Sequence, residues 1–412
     1  MPWKALVVFL GAAGVAHADA RRPITLQTAV AAAKQAPAAL VGPHEVAAAE
    51  ATVDAASAWP SPSLHVATNR LTARLVAGAT LPVPVFGTVG AARRQAAAEA
   101  DVVRAEVELV QRDLQHRVVL AWIALARADG DVVATSIAAQ HAAELELIAK
   151  GRLSAGVGAD VDVTVAAAAR ARAEVAAAAA ERVEDAASST LAGVLGWDPA
   201  QPLRADGSPV TGEPIELAAL RDRLARHPER AAALRRVDVA EATLDHVLTE
   251  RWPLLALDGS VSFDDPTFDQ TGSNPTLWSR TDAAIGVTLE LPIFAHVGDK
   301  ARAARAIEAS QRARLAVTDT ALGAGLYAAY RNWQAASERL RALEHDVVPA
   351  QERAAALSAQ AYREGARDLA SALQAARDLA AVRAEINSGR ADAAAAFADL
   401  QLAVGDEVGS AH

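Results

Sequence analysis

Histidine is the residue type in this chain best suited to chemistry, and its spacing argues against any. His44, His65, His116, His141, His227, His246, His296 and His345 are scattered, with no pair at i, i+4 and no cysteine in the 412 residues. A zinc site needs three or four such donors to converge, which short His or Cys spacings usually announce. Methionine occurs only at position 1, so no thioether path for copper exists. The sequence therefore predicts no metal site and no cofactor, and reads its histidines as solvated helix residues. The glycine-bearing patch Gly151–Gly158 has neither the lysine of a phosphate loop nor a strand before it, and reads as a helix–helix turn. Asp264 and Asp265 read as turn residues of an outer loop. No nucleophile with a neighbouring base and no paired-carboxylate site emerges, so an enzyme is the least expected class.

Composition narrows the remaining classes. The formal net charge is −10 and no Lys/Arg cluster forms a phosphate-binding stripe, which argues against nucleic acid as a partner. Apolar residues make up 52% of the chain while aromatics make up 4%, and alanine dominates. An ordinary core is filled by Leu, Ile, Val and Phe; this composition suits helices packed closely over long distances. Lys4, the apolar run Ala5–Ala16 and the small-x-small site Ala16-His17-Ala18 predict a signal peptide over residues 1–18 and an exported chain starting at Asp19.

The elements that must position any site come in two copies. Ala49-Glu50-Ala51-Thr52-Val53-Asp54 returns about 191 residues later as Ala240-Glu241-Ala242-Thr243-Leu244-Asp245, and Pro37 and Pro228 keep that offset. Each copy runs from helix into Trp-Pro (Trp59-Pro60, Trp252-Pro253), an alternating stretch, Pro-x-Phe (Pro84-Val85-Phe86, Pro292-Ile293-Phe294) and a long Ala-rich segment ending at Gly196 or Gly405. The period is too long for a solenoid and marks a duplicated half-molecule. In the first copy, residues 25–57 read as helix interrupted near Pro37 and at Gly42-Pro43. Leu64–Thr68 and Leu75–Leu81 alternate with period two and predict a hairpin over about 60–84. Leu255–Phe263 and Ala283–Leu291 predict a clearer one over about 253–292, with strands long enough for a tilted membrane strand. Long helices are expected at 91–150 and 160–195, then at 298–361 and 367–404, with a kink at Pro349. The resulting divisions are a first repeat over 19–196, a linker and start of the second repeat over 197–228, the second repeat over 229–405 and a tail over 406–412.

Two hairpins supply four strands. An open sheet edge in lipid leaves N–H and C=O groups unpaired at several kcal/mol each, so a membrane sheet must close into a barrel. Four strands are too few for that, so other copies of the chain are expected to complete it. Trp59, Trp252, Trp278, Phe86 and Phe294 at the strand ends fit interfacial girdles.

The duplicated order of helix, hairpin, Leu-Pro-x-Phe, paired long helices and a Gly-containing tip resembles the TolC-like outer-membrane efflux proteins. The short chain and short first hairpin look more like the heavy-metal efflux, or CzcC-type, branch. The resemblance covers about residues 22–405. Its most specific pieces are Gly286-Val-Thr-Leu-Glu-Leu-Pro292-Ile-Phe294 and the tip Tyr362-Arg363-Glu364-Gly365-Ala366-Arg367. It implies a mainly α fold with membrane β. Three copies would form a twelve-stranded barrel in the outer membrane, continued by a helical tunnel across the periplasm. It implies as partners a periplasmic adaptor, an inner-membrane pump and outer-membrane lipid. Tyr362 and Arg367 match the family's gating Tyr and Arg, and Asp162, six residues past the tip glycine Gly156, matches their acidic partner. The bland alternative is that Arg367 and Asp368 are N-terminal helix charges and that Asp160 caps the other helix. The acidic pair some members carry inside the tip is replaced here by Ser371 and Gln374; Asp160 and Asp162 are the candidate replacement ring. Competing readings are a type I secretion duct of the same fold and a soluble periplasmic coiled-coil adaptor.

Overall fold

A computed structural model describes residues 21–69, 74–213, 215–264, 281–292 and 296–406. The expected signal peptide, Asp265, Trp278 and Phe294 lie outside the described residues. In chain order the first copy holds β1 (Arg22–Ile24), α1 (Leu26–Ala33), α2 (Pro37–Ser57), β2 (Ser63–Asn69), β3 (Arg74–Val83), α3 (Thr88–Ser154) and α4 (Asp160–Leu195). The linker carries β4 (Leu203–Ala205). The second copy follows with α5 (Leu217–Arg223), α6 (Pro228–Thr249), β5 (Leu254–Asp264), β6 (Thr281–Glu290), α7 (Val297–Ala342), α8 (Val348–Arg363) and α9 (Leu369–Val404). The fold is mainly α and internally duplicated: α1 matches α5, α2 matches α6, and α4 and α9 are each 36 residues long.

Helix α3 runs for 67 residues, about 100 Å at the α-helical rise. Propensity does not hold such a rod alone; packing against α4, α2, α6 and α9 does. Its buried face includes Ala91, Ala96, Ala100, Ala128, Ala134 and Ala149, which let neighbouring backbones approach. Two aromatic-centred cores brace the rods at mid-length. Trp122 is buried among Ile24, Val118, Leu125, Leu191, Leu195 and Leu203, and its indole N–H donates to the Ile24 carbonyl at 2.8 Å. Trp333 packs with Leu220, Leu326, Phe397 and Leu400, and its N–H donates to the Thr211 carbonyl at 2.8 Å. Each copy thus pins the chain wrapping its waist with one tryptophan on its long rod.

Strands β2, β3, β5 and β6 form one antiparallel sheet in that order. Its register sorts the side chains by chemistry. Leu64 and Val66 pair with Ala79 and Ala77; Leu75, Ala77, Ala79, Leu81 and Val83 pair with Phe263, Val261, Gly259, Leu257 and Leu255. Those in turn pair across to Ala283, Ile285, Val287 and Leu289. One face is therefore apolar across all four strands, and it is most exposed on the outer two: Leu64 is 83% exposed and Ile285 92%. The other face carries Ser63, His65, Thr80, Asp258, Ser260, Ser262, Thr288 and Glu290 among small residues.

One expectation changes and two are filled out. Gly42-Pro43 does not interrupt α2, which runs through both. Gly42 lies against α3 so closely that a Cβ there would come within 2.4 Å of Val107, and this packing outweighs the one hydrogen bond Pro43 cannot make. The linker contains a strand that no periodicity announced: β4 pairs in parallel with β1, and the Ala205 N–H donates to Asp129 at 2.7 Å. At Pro349 the rod does not simply bend. A π-helical turn, Leu343–Val347, separates α7 from α8 and widens the helix just before the ring that would strike a preceding carbonyl.

Candidate functional site: the helix tips

Both helical hairpins turn at a glycine. Past α3, the Val157 N–H donates to the Arg152 carbonyl and the Gly156 N–H to that of Leu153, each at 3.0 Å. Past α8, the Ala366 N–H donates to the Ala361 carbonyl at 2.8 Å and the Gly365 N–H to that of Tyr362 at 3.1 Å. Both are Schellman ends, and they need a left-handed residue: φ is +74° at Gly156 and +81° at Gly365. The turns end in different helix starts. Asp368 caps α9, accepting from the Ser371 N–H at 3.2 Å and from its hydroxyl. These bonds, the hydroxyl's first, hold its carboxyl below the usual aspartate value. Helix α4 has no side-chain cap: Ala159 occupies the cap position and Asp160 is the first helical residue, so Asp160 is a first-turn charge rather than a cap.

Tyr362 is the centre of the tip. It is 1% exposed and packs among Leu145, Ala149, Ala166, Leu369, Ala372 and Leu373, drawn from α3, α4 and α9. Its hydroxyl is buried without a hydrogen-bond partner among the described residues. Burial raises its pKa, the nearby Asp162 charge adds to that, and Arg152 opposes. The structure thus brings Asp162, half-buried, into the field of Tyr362, while Asp160 and Arg367 stand exposed. Among the described residues no hydrogen bond or ion pair joins Asp162 to Arg367 within one chain.

Arg152 joins the two tips and was missed in the sequence. Its Nη1 donates to the Tyr362 carbonyl at 2.6 Å and its Nη2 to the Val157 carbonyl at 3.3 Å. The guanidinium lies 5.1 Å from the Tyr362 ring centroid. A cation on carbonyls at the ends of two helices complements both dipoles. Gly365 makes room for it, because a Cβ there would sit 3.1 Å from Nη1. The signal was present as the last-turn arginine before Gly156, but only the fold shows that it reaches the other hairpin.

At the opposite end of the rods, the base of the sheet gathers aromatics. Phe86 and Trp252 stack at 5.7 Å with planes 7° apart, and Trp59, on the segment leading into β2, is 63% exposed. No cluster of three or more His, Cys, Asp or Glu among the described residues is arranged to hold a metal. No described helix is long and apolar enough to cross a membrane.

Long paired rods turned at one end by glycines, with a sheet carrying one apolar face at the other, make an architecture found in solved outer-membrane channels. Residues 219–406 match the family described as outer membrane efflux protein. The match covers the second copy, and the whole chain has the fold of solved outer-membrane channels. The outer membrane protein VceC of Vibrio cholerae is 18% identical, with a TM-score of 0.74 over 93% of this chain and 96% of that one. The CmeC outer membrane channel of Campylobacter jejuni is 14% identical, with a TM-score of 0.74 over 94% and 87%. The open-state MtrE outer membrane channel of Neisseria gonorrhoeae is 16% identical, with a TM-score of 0.72 over 93% and 89%. No curated protein matches by sequence.

Proposed function

We propose that this chain is the exit duct of a tripartite efflux system. It takes cargo from an inner-membrane pump through a periplasmic adaptor and releases it outside without chemical change. The observation that carries the reading is the sheet. Four strands in register present an unbroken apolar face, and the two outer strands have open edges that only further copies can pair in lipid. Three copies close such a sheet into a twelve-stranded barrel, and their rods into a tunnel, as the family resemblance implies. Phe86, Trp252 and Trp59, at the base of the sheet, then lie at the inner membrane–water boundary, with Trp278 and Phe294 expected to join the girdles.

The tips are the gate. Within a chain Arg152 welds one hairpin to the other through Tyr362. Between chains the exposed Arg367 is placed to meet a neighbour's Asp162 or Asp160, and Gly156 and Gly365 shape the turns that present them. Purified protein in planar lipid bilayers tests the whole reading: it forms discrete channels, and deleting the gene sensitises cells to exported compounds. Recovery of the protein as a soluble periplasmic monomer would sink it.

A further inference from the structure

The polar face of the sheet carries one carboxylate at mid-height that the gate does not use. Asp258 lies on β5 between Thr80 of β3 and Gly286 of β6. Its Oδ1 accepts from the Thr80 hydroxyl at 2.6 Å, and its Oδ2 accepts from the Thr288 hydroxyl. Donors on both flanking strands fix the group in position against the wall. Around it the wall is low: Gly78, Ala256, Ser260 and Gly286 are its neighbours on that face. His65 on β2 lies across Gly78, where a Cβ would come within 2.5 Å of its ring. Besides His65, and the Arg74–Asp264 pair at the loop end of the sheet, the charged positions on this face are acidic: Asp258, Asp282 and Glu290.

We propose that Asp258 is a specificity-determining residue of the pore and makes the barrel favour cations over anions. A passing ion meets it once per chain, at one height, inside a wall of low dielectric that focuses the field. The tip has Ser371 and Gln374 where an acidic pair would stand, and Asp258 is a carboxylate held in place in the barrel instead. A purely structural strand tie predicts something else, namely that removing Asp258 alters stability and leaves ion preference alone.

The inference rests on the membrane-channel reading, and reversal potentials across a bilayer under a salt gradient separate the two. The wild-type channel is expected to prefer potassium over chloride. Asp258→Asn is expected to lower that permeability ratio several-fold, Asp258→Lys to reverse its sign and Asp258→Glu to keep it. If Asp258→Asn fails to insert, Ser260→Lys places a counter-charge beside the intact carboxylate and must lower the ratio likewise. Unchanged ratios in channels that do form overturn the role of Asp258 alone. Wild-type protein that forms no channel overturns the channel reading with it.

Discussion

At the scale of single residues, the tip depends on one cation and one phenol. Arg152 holds the Tyr362 carbonyl at 2.6 Å, and a hydrogen bond from a charged donor is worth about 1.5–3 kcal/mol. Arg152→Ala removes it and leaves a carbonyl at the buried end of α8 with one donor fewer. The expected result is a higher single-channel conductance and more frequent openings, with Arg152→Lys intermediate because it keeps charge but not the fork. Unaltered conductance in both would show that the weld does not restrain the gate. Tyr362 adds a pH dependence. Its pKa is raised above the ordinary phenol value by burial first, so the folded tip holds its proton more tightly than the unfolded chain does. The stability this lends is full below the ordinary phenol value and is lost as pH rises through the raised one. Alkaline pH is therefore expected to loosen the tip, read as rising conductance or a falling melting midpoint. Tyr362→Phe should abolish that component.

At the scale of elements, close backbone approach is what the alanine and glycine content provides. Gly42 shows it most directly, since Val107 occupies the space a side chain would need. Gly42→Val is expected to cost about 1–3 kcal/mol through overpacking between α2 and α3. A thermal or denaturant melt of the solubilised protein checks this, and a neutral result would mean that α2 shifts freely on the rod. The same position explains what the sequence could reveal. Period-two alternation in Leu255–Phe263 and the glycine-ended rods are local signals, and the repeat shows when the sequence is set against itself, so the strands, long helices and tips are legible. Gly42-Pro43 reads locally as a breaker, and only the partner helix makes it a contact. Arg152 likewise reads as a last-turn charge, because its bond to Tyr362 spans 210 positions. The β1–β4 pair was hidden for a different reason: two three-residue strands have no periodicity to detect. Their place is set by Trp122 and Asp129 on α3.

At the scale of the molecule, the two faces of the sheet decide which side meets lipid, and neighbouring residues on β6 expose the decision. Ile285 belongs to the apolar face, level with Gly259 and Ala79, while Ala284 belongs to the polar face opposite Ser260. In a barrel the first points into the hydrocarbon and the second into water. An arginine at position 285 near the bilayer midplane is expected to cost about 2–4 kcal/mol per chain, a charge each copy must carry into lipid. An arginine at position 284 is solvated by the lumen and should cost little. Ile285→Arg is therefore expected to deplete the heat-resistant assembled species in outer-membrane fractions, while Ala284→Arg assembles and carries a channel of altered ion preference. The pair controls for expression and for charge, since the change is the same and only the face differs. Equal assembly of the two variants would mean that the apolar face does not contact lipid. The open edges of β2 and β6 would then need a partner other than further copies of this chain in the membrane.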